Sequence, residues 1–509
     1  MTLALVPAPA SITSDGSAVF TLTDEVRLVG EADAAAALSA LIAARTSGVI
    51  DPSTDSGSGG ESPVIALRIT PAGTPESYRI TADAASVVVT GADAAGLFYG
   101  VQTLGQLVSR DGEGFSIPAV QIEDAPRFAY RGVMLDVARH FHPVETVKAY
   151  IDRAASLKFN ALHLHLTDDQ GWRIHLDSRP KLTELAAATG VGGDAGGFFS
   201  KADYREIVAY AASRHMMVVP EVDLPGHTHA VGLAYPELAE APVLSPHLLE
   251  IVESHGGAAP TAGEPYTGMG VGFSSLKIHD EATYDFVADV AGELAAMTPG
   301  PYLHIGGDEA LGTTPEDFAL FIERATEIVA DLGKTPITWH EAGAAVRIDP
   351  STVGQYWGFV TPTDGMDEKA RTFVRNDAGL ILSPADAVYL DMKHDAGSAL
   401  GLNWANGPTS VERAYSWDPA AVIDGVTDAD ILGVEAPMWT ETIRTLDDID
   451  EMAFPRIAAA AEAAWSPPAA DSDLRTWESF RSRVGALGPL WSSLGIRYHP
   501  SAEIPWVSE

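Results

Sequence analysis

The sequence of 509 residues contains no cysteine and few basic residues. Without cysteine there is no disulfide framework, no thiolate nucleophile and no zinc–cysteine site. The 32 Lys and Arg stand against 70 Asp and Glu, which gives a formal charge of −38 at pH 7. Because this charge repels phosphate backbones and anionic lipid surfaces on average, nucleic acid and membranes are poor candidate partners.

Long apolar runs are also missing, since no stretch reaches the roughly 18 residues of a transmembrane helix. The opening MTLALVPAPASITSDG has no basic segment of the kind found in secretory signals. We therefore expect a cytoplasmic protein, or a secreted one whose signal has been removed. The composition, 46% hydrophobic and 20% charged, is typical of a soluble globular protein with a sizeable core.

The length predicts two or three domains, or one large barrel with a smaller companion. Residues 1–125 mix short strand-like runs with one helix-like run at 94–108, which predicts a small α/β domain. The segment 51–62 is rich in turn-forming residues and predicts a loop. The strands predicted in this domain cover 18–22, 64–69, 77–80 and 86–90.

Residues 126–509 have a different pattern, in which a short apolar strand is repeatedly followed by a longer amphipathic helix. Eight such strands predict a (β/α)8 barrel, or TIM barrel. A doubly wound sheet alternates in the same way, but no glycine-rich dinucleotide turn follows a first strand. The predicted strands are 133–137, 161–167, 217–222, 302–306, 337–340, 353–356, 379–383 and 431–435. The predicted helices are 144–158, 201–214, 284–297, 315–332, 367–377 and 446–465.

The carboxyl ends of the predicted barrel strands carry acidic residues interleaved with Trp and Tyr. Barrel enzymes place their active sites at these strand ends. Carboxylates hold sugar hydroxyls and transfer protons, while aromatic faces cover the apolar face of a pyranose ring. A single Trp or Tyr there is explained as well by packing, but four of them beside carboxylates favour a sugar site.

The motifs at these ends resemble glycoside hydrolase family 20, the β-N-acetylhexosaminidases. The resemblance covers nearly the whole chain and rests on RGxMLDxARHF at 131–141, HLHLTDDQGWRI at 163–174, PEVDLPGH at 220–227, HIGGDE at 304–309 and the segment Trp439 to Glu441. It implies an exo-acting enzyme that removes terminal β-linked GlcNAc or GalNAc with retention of configuration. The nucleophile is then the substrate's own 2-acetamido group, and neither a metal nor another cofactor is implied.

The resemblance also implies roles for individual residues. Glu309 is the general acid and base, Asp308 orients the acetamido N–H, and Tyr389 binds the acetamido oxygen. Asp168 and His227 form a relay that tunes Glu309. The remaining implied roles are substrate binding: Trp339, Trp357 and Trp439 line the pocket, Arg139 and Glu441 hold distal hydroxyls with help from Asp391, and Trp404 flanks the aglycone.

Each role has a structural alternative, such as an ion pair for Arg139, a helix cap for Asp168 or a buried polar side chain for His227. Two other functions also remain open at this point. A metal-dependent barrel hydrolase would use the His-x-His pairs at 163–165 and 227–229, and a noncatalytic sugar-binding protein could share the scaffold. The loop 236–269 is rich in Pro and Gly, and we expect it to shape the aglycone side. The natural substrate, for instance chitin fragments, and the oligomeric state cannot be read from the sequence.

Overall fold

The computed structural model describes residues 3–50, 52, 63–112 and 114–507. An N-terminal mixed sheet comes first. Within the described residues its strands lie in the order Ser11–Leu22, Gly114–Asp124, Tyr78–Ala82, Ser86–Gly91, Val64–Ile69 and Arg27–Gly30, and Ser109–Asp111 pairs with Gly114–Asp124. Two helices, Ala32–Arg45 and Ala94–Leu107, pack against this sheet.

Only part of this arrangement was predicted. The helix at 94–108 is present, but the prediction of a single helix is wrong, because Ala32–Arg45 forms another. That segment is dominated by alanine, so its large buried residues, Leu38 and Ile42, give only a weak apolar stripe. The strands Arg27–Gly30 and Gly114–Asp124 were not predicted. The loop predicted at 51–62 lies outside the described residues except for Pro52.

Eight parallel strands then close into a barrel in chain order, which confirms the predicted (β/α)8 fold. Each one coincides with a predicted strand within a few residues. In order they are Tyr130–Asp136, Ala161–His165, Met217–Glu221, Tyr302–His304, Thr335–Trp339, Val353–Tyr356, Leu380–Leu382 and Ile431–Ala436. A two-stranded hairpin, Thr167–Asp168 with Gly171–Trp172, follows the second barrel strand.

The helices of this part surround the barrel or fill its loops. They are Val144–Ser156, Lys181–Ala186, Lys201–Ser213, His229–Ala234, Pro246–His255, Glu281–Met297, Pro315–Asp331, Met366–Arg375, Ala385–Val388, Val411–Tyr415, Leu446–Ala453, Arg456–Trp465 and Trp477–Ser493. Short 3₁₀ turns cover Val191–Gly193, His340–Ala344, Pro419–Ala421 and Ala469–Asp471. In the described part of the chain no helix is long and apolar enough to cross a membrane.

Two predictions about these helices need correction. The helix predicted at 446–465 is two helices, Leu446–Ala453 and Arg456–Trp465, because Pro455 has no N–H to continue the hydrogen-bond ladder. The loop predicted at 236–269 contains the helix Pro246–His255, which begins with Ser245 as its N-cap.

The barrel and the N-terminal sheet meet in a buried polar contact. Lys158 Nζ lies 3.1 Å from Asp124 Oδ2 at the end of the sheet strand Gly114–Asp124, and both side chains are buried. The Tyr78 hydroxyl and the Trp465 indole N–H also donate to Asp124 Oδ2, at 2.5 and 3.0 Å. This carboxylate is therefore fully hydrogen-bonded although it is buried.

Candidate active site

The centre of the barrel holds a buried carboxylate, Glu221, at the end of the third strand. It accepts hydrogen bonds from His163 Nε2 at 3.0 Å, His165 Nδ1 at 2.5 Å and the Trp339 indole N–H at 2.9 Å. Burial opposes its charge, but the surrounding histidines outweigh burial and hold the pKa of Glu221 well below its ordinary value. One anion thus fixes side chains from two other strands.

A chain of polar contacts leads from this core to the mouth of the barrel. His165 Nε2 lies 2.8 Å from Asp168 Oδ2, and Asp168 Oδ1 lies 3.1 Å from His227 Nδ1. Arg139 Nη2 is 2.8 Å from the same carboxylate. His227 Nε2 then faces Glu309 Oε2 at 3.7 Å and Asp308 Oδ2 at 3.9 Å. Asp168, His227 and Glu309 therefore form a continuous chain in this order.

The charges along this chain are set by its members. Burial disfavours ionised Asp168, but Arg139 and His227 outweigh it and keep the pKa of Asp168 below its ordinary value. Burial also disfavours charged His227, yet Asp168, Asp223 and Asp308 raise its pKa well above the ordinary value. These carboxylates favour the charged imidazolium form of His227, and its Nε2 faces Glu309 and Asp308 at distances longer than a hydrogen bond.

Glu309, unlike Asp168 at the other end of this chain of contacts, has a raised pKa. Burial and the charge of Asp308 raise the pKa of Glu309 to about 7, while His227 opposes this rise. A carboxyl group with this pKa can both donate and accept a proton near neutral pH. Its backbone has φ +43°, a left-handed conformation that is costly for a residue other than glycine and is frequent at active sites.

The turn that carries Asp308 and Glu309 depends on the two glycines before it. At Gly306, with φ +68°, an added Cβ would lie 1.7 Å from Asp223 Oδ1. The N–H of Gly307 donates to the same oxygen at 3.0 Å. Glycine is thus required at 306 for the backbone to approach Asp223 this closely, and at 307 because φ is +103°, a conformation that other residues rarely adopt.

Aromatic side chains from four strand ends form a connected wall beside Asp308. Tyr389 lies 5.8 Å from Trp404 and 6.4 Å from Trp439, measured between ring centroids. Trp439 is 6.1 Å from Trp339, and Trp404 is 5.9 Å from Trp357. Trp404 is the exposed member, with 46% of its surface accessible. Burial and Asp308 raise the pKa of Tyr389 well above its ordinary value, so its phenol is neutral and can donate a hydrogen bond.

The residues predicted to hold distal hydroxyls lie on the other side of Trp439. The Arg139 guanidinium stacks 4.8 Å from the Trp439 ring centroid. Burial and the charge of Glu441 raise the pKa of Asp391. Burial and the charge of Asp136 raise the pKa of Glu441, although Arg139 opposes this rise. Among the described residues, Asp391 Oδ2 and Glu441 Oε2 are buried atoms without a hydrogen-bond partner. The structure thus brings all the predicted site residues to one end of the barrel, with polar atoms left to receive ligand hydroxyls.

The histidines that suggested a metal site are engaged otherwise. His163 and His165 are fully buried, and both ring nitrogens of each contact carboxylates. His229 Nε2 lies 2.8 Å from the carbonyl oxygen of Glu264. Four groups of possible ligand atoms nevertheless lie within 4.8 Å of one another among the described residues, so a metal is a geometric option to be tested. They are His163 with Glu221 and His304, His165 with Glu221 and Asp223, Asp168 with Asp223 and His227, and His227 with Asp308 and Glu309.

The sequence predicted no role for Glu221, and for His165 only that of a ligand in the metal-dependent alternative, although both stand in the motifs quoted above. The sequence did offer one indication for Glu221, because it is an acidic residue at the end of the apolar strand Met217–Glu221. Acidic side chains are rarely buried unless they are paired. The sequence also predicted no role for Glu341, which accepts a hydrogen bond from Trp357.

Comparison with known proteins agrees with this geometry. The family described as "Glycosyl hydrolase family 20, catalytic domain" matches residues 128–468, and "Glycosyl hydrolase family 20, domain 2" matches residues 2–125. A β-N-acetylhexosaminidase of Cellulomonas fimi is 42% identical over 457 residues, covering 88% of this chain and 85% of that protein.

Solved structures are similar over the full length. One described as a glycoside hydrolase family 20 β-N-acetylglucosaminidase is 68% identical with a TM-score of 0.93, covering 99% of this chain and 100% of that one. A mutant β-hexosaminidase of Streptomyces plicatus, in complex with its product GlcNAc, is 43% identical with a TM-score of 0.86 and covers 100% of this chain and 98% of that one.

Proposed function

The chain belongs to glycosyl hydrolase family 20, and we propose on that premise how its site hydrolyses terminal β-linked GlcNAc. The enzyme is an exo-acting β-N-acetylhexosaminidase that acts on small glycosides. Family 20 is among the glycosidases in which the substrate supplies the nucleophile. In the proposed mechanism the 2-acetamido oxygen attacks the anomeric carbon, Glu309 transfers the protons and Asp308 orients the acetamide.

The observation that carries the assignment is the pairing of Glu309 with charged His227. Glu309 has a pKa of about 7 because of burial and Asp308, so a large fraction is protonated at neutral pH. His227 Nε2, 3.7 Å away, stabilises the carboxylate that forms when Glu309 gives its proton to the leaving oxygen. Asp168 holds His227 and favours its charge, and Arg139 in turn holds Asp168.

In the first step the C1–O bond to the leaving group breaks as Glu309 protonates that oxygen. The acetamido oxygen forms the new bond to C1, which produces an oxazolinium ring. Asp308 accepts the acetamido N–H, whose acidity rises as this ring forms, and the neutral Tyr389 phenol donates to the acetamido oxygen. Glu309, now a carboxylate, deprotonates the water that attacks C1, and the bond between C1 and the acetamido oxygen breaks. Because C1 is inverted in both steps, the product keeps the β configuration.

Arg139, Asp391 and Glu441 hold the hydroxyls of the terminal sugar in this proposal. Two observations support these roles. Asp391 and Glu441 each have a buried side-chain oxygen without a hydrogen-bond partner among the described residues, and Asp168 fixes the guanidinium of Arg139. Trp439, which lies over Arg139, covers the sugar ring. Because Arg139, Asp391 and Glu441 occupy the space around these hydroxyls, no further sugar can be attached there. Hydrolysis is therefore confined to the terminal sugar of a chain.

The test uses the full chain and an aryl β-N-acetylglucosaminide, assayed with and without a chelator. We expect hydrolysis that the chelator leaves unchanged. Loss of activity with the chelator, restored by added metal, would support the metal-dependent alternative. Binding of GlcNAc without hydrolysis would support the noncatalytic one. Initial rates on GlcNAc, GalNAc and chitobiose glycosides then define the sugar and chitin-fragment preference.

A further inference from the structure

Trp357, an expected wall of the acetamide pocket, is held by two residues of the neighbouring strand end. Its indole N–H donates to both carboxylate oxygens of Glu341, at 3.1 and 2.9 Å. Its backbone N–H lies 3.5 Å from His340 Nδ1. Burial lowers the pKa of His340 to about 3, so this ring is neutral and its Nδ1 can accept. Both contacts come from the 3₁₀ turn His340–Ala344, directly after the fifth barrel strand.

Glu341 lies at the end of the barrel that carries the site, directly after the strand that ends in Trp339. Burial raises the pKa of Glu341 to about 8, and the charge of Asp308 adds to this rise. The charge of Glu341 in turn raises the pKa of Tyr389. Glu341 therefore lies close to the two residues proposed to hold the acetamide.

The carboxyl group of Glu341 has few polar partners although it is largely buried. Only 19% of its side chain is exposed, and among the described residues no Lys or Arg forms an ion pair with it. Its side-chain hydrogen bonds come from the Trp357 indole and from its own backbone N–H. A largely buried carboxyl group costs stability relative to an apolar side chain, whether it is ionised or protonated. Its presence therefore indicates a functional constraint, and the constraint is the orientation of Trp357.

We propose that Glu341 is a positioning residue that fixes the Trp357 indole and thereby sets the size of the N-acyl group that the enzyme accepts. The inference rests on the proposed function, in which the pocket walled by Trp357 surrounds the acetamide. With its N–H bound to Glu341, the indole cannot turn about its side-chain bonds, and its ring closes the space beyond an acetyl methyl group. Without Glu341 the ring is free to move, so larger acyl groups enter and the acetyl group is held less firmly.

The experiment measures kcat/KM on aryl glycosides that carry N-acetyl, N-propionyl or N-butyryl groups. The variants are Glu341→Leu, Glu341→Gln, Trp357→Phe and the double variant Glu341→Leu/Trp357→Phe. Glu341→Leu should lower the N-acetyl to N-butyryl ratio by about tenfold, the upper end expected for losing a hydrogen bond between neutral groups. Glu341→Gln keeps an acceptor and should stay within about threefold of the wild-type ratio. In the Trp357→Phe background, which lacks the donor, Glu341→Leu should change the ratio no further.

Glu323→Leu is the matched control. Glu323 on the helix Pro315–Asp331 is similarly buried, with 13% of its side chain exposed, and accepts two hydrogen bonds from Arg347. Its loss should lower thermal stability and leave the acyl ratio unchanged. An unchanged ratio in Glu341→Leu, a Gln variant as defective as Leu, or additive effects in the double variant would each overturn the proposal.

The experiment also covers a Glu341→Leu variant that does not fold and a failure of the proposed function itself. If Glu341→Leu does not fold, Trp357→Phe decides alone, because it removes the donor with Glu341 in place and must itself lower the ratio. If the unmodified enzyme hydrolyses aryl β-glucosides as fast as N-acetylglucosaminides, the proposed function fails, whatever the Glu341 variants do.

Discussion

Removing the positive charge of His227 should raise the pKa of the general acid Glu309. The two side chains face each other at 3.7 Å, between His227 Nε2 and Glu309 Oε2. At an effective dielectric constant of about 20, unit charges about 4 Å apart interact by about 4 kcal/mol. This equals about three pKa units. Because 35% of the Glu309 side chain is exposed, solvent screens part of the interaction, and we expect a rise of about one unit or more.

The direction of the effect follows from the form of Glu309 that acts as the acid. Protonated Glu309 donates to the leaving group, and activity falls as pH rises through its pKa of about 7. Without the positive charge of His227 the ionised form of Glu309 is less favoured, so Glu309 stays protonated to higher pH. Asp168, left without its imidazolium partner, acts in the same direction. The alkaline limb of kcat/KM should therefore move to higher pH.

His227→Asn is the suitable variant, because residue 227 has φ +52° and asparagine tolerates the left-handed region. The assay is kcat/KM between pH 5 and 10 on an aryl N-acetylglucosaminide. His279→Asn serves as the control, since that histidine is 74% exposed and pairs with Asp317 on the surface. An alkaline limb that stays in place, or moves to lower pH, would refute the electrostatic role of His227.

Three further predictions concern the acid, the acetamide and the fold. Glu309→Gln should reduce turnover by roughly 10²- to 10⁴-fold on poor leaving groups and much less on good ones, and equal losses in a leaving-group series would remove Glu309 from the acid role. Asp308→Asn and Tyr389→Phe should lower kcat more than they raise KM in steady-state kinetics, whereas pure KM effects would mark both as simple binding residues. Lys158→Met, which leaves buried Asp124 without its cation, should lower the free energy of unfolding by about 3 kcal/mol in a denaturant titration, and an unchanged midpoint would contradict this.

Much of the fold follows from patterns within short stretches of the sequence. Eight short, mainly apolar runs separated by amphipathic helices were enough to predict the barrel, because parallel barrel strands are buried on both faces. Polar residues interrupt some of these runs, such as the two histidines in Ala161–His165. The helix Ala32–Arg45 was missed because alanine gives little contrast between its faces. The break at Pro455 interrupts a pattern that otherwise continues on both sides of it, so periodicity alone suggested one long helix.

The site was predictable where a residue's position at a strand end indicates its function. Asp308 and Glu309 are of this kind, since their residue types and motif place them at the mouth of the barrel. Glu221 and Glu341 are not, because their importance depends on which side chains other strands place beside them. Glu221 pairs in register with His165 on one neighbouring strand and His304 on the other, which only the closed barrel shows.

The central claim is that the substrate's acetamido group, rather than a carboxylate of the enzyme, attacks the anomeric carbon. Intramolecular placement of a nucleophile can be worth roughly 7 to 11 kcal/mol, so replacing the acetamide by hydroxyl should leave glycosides nearly inert. If Asp308 were the nucleophile, a hydroxyl at C2 would be tolerated. The most direct measurement compares rates on aryl β-glucoside and aryl β-N-acetylglucosaminide and follows the released anomer by NMR. We predict hydrolysis of the N-acetyl sugar alone, with the β anomer formed first. Comparable rates on the two sugars, or initial release of the α anomer, would contradict the mechanism.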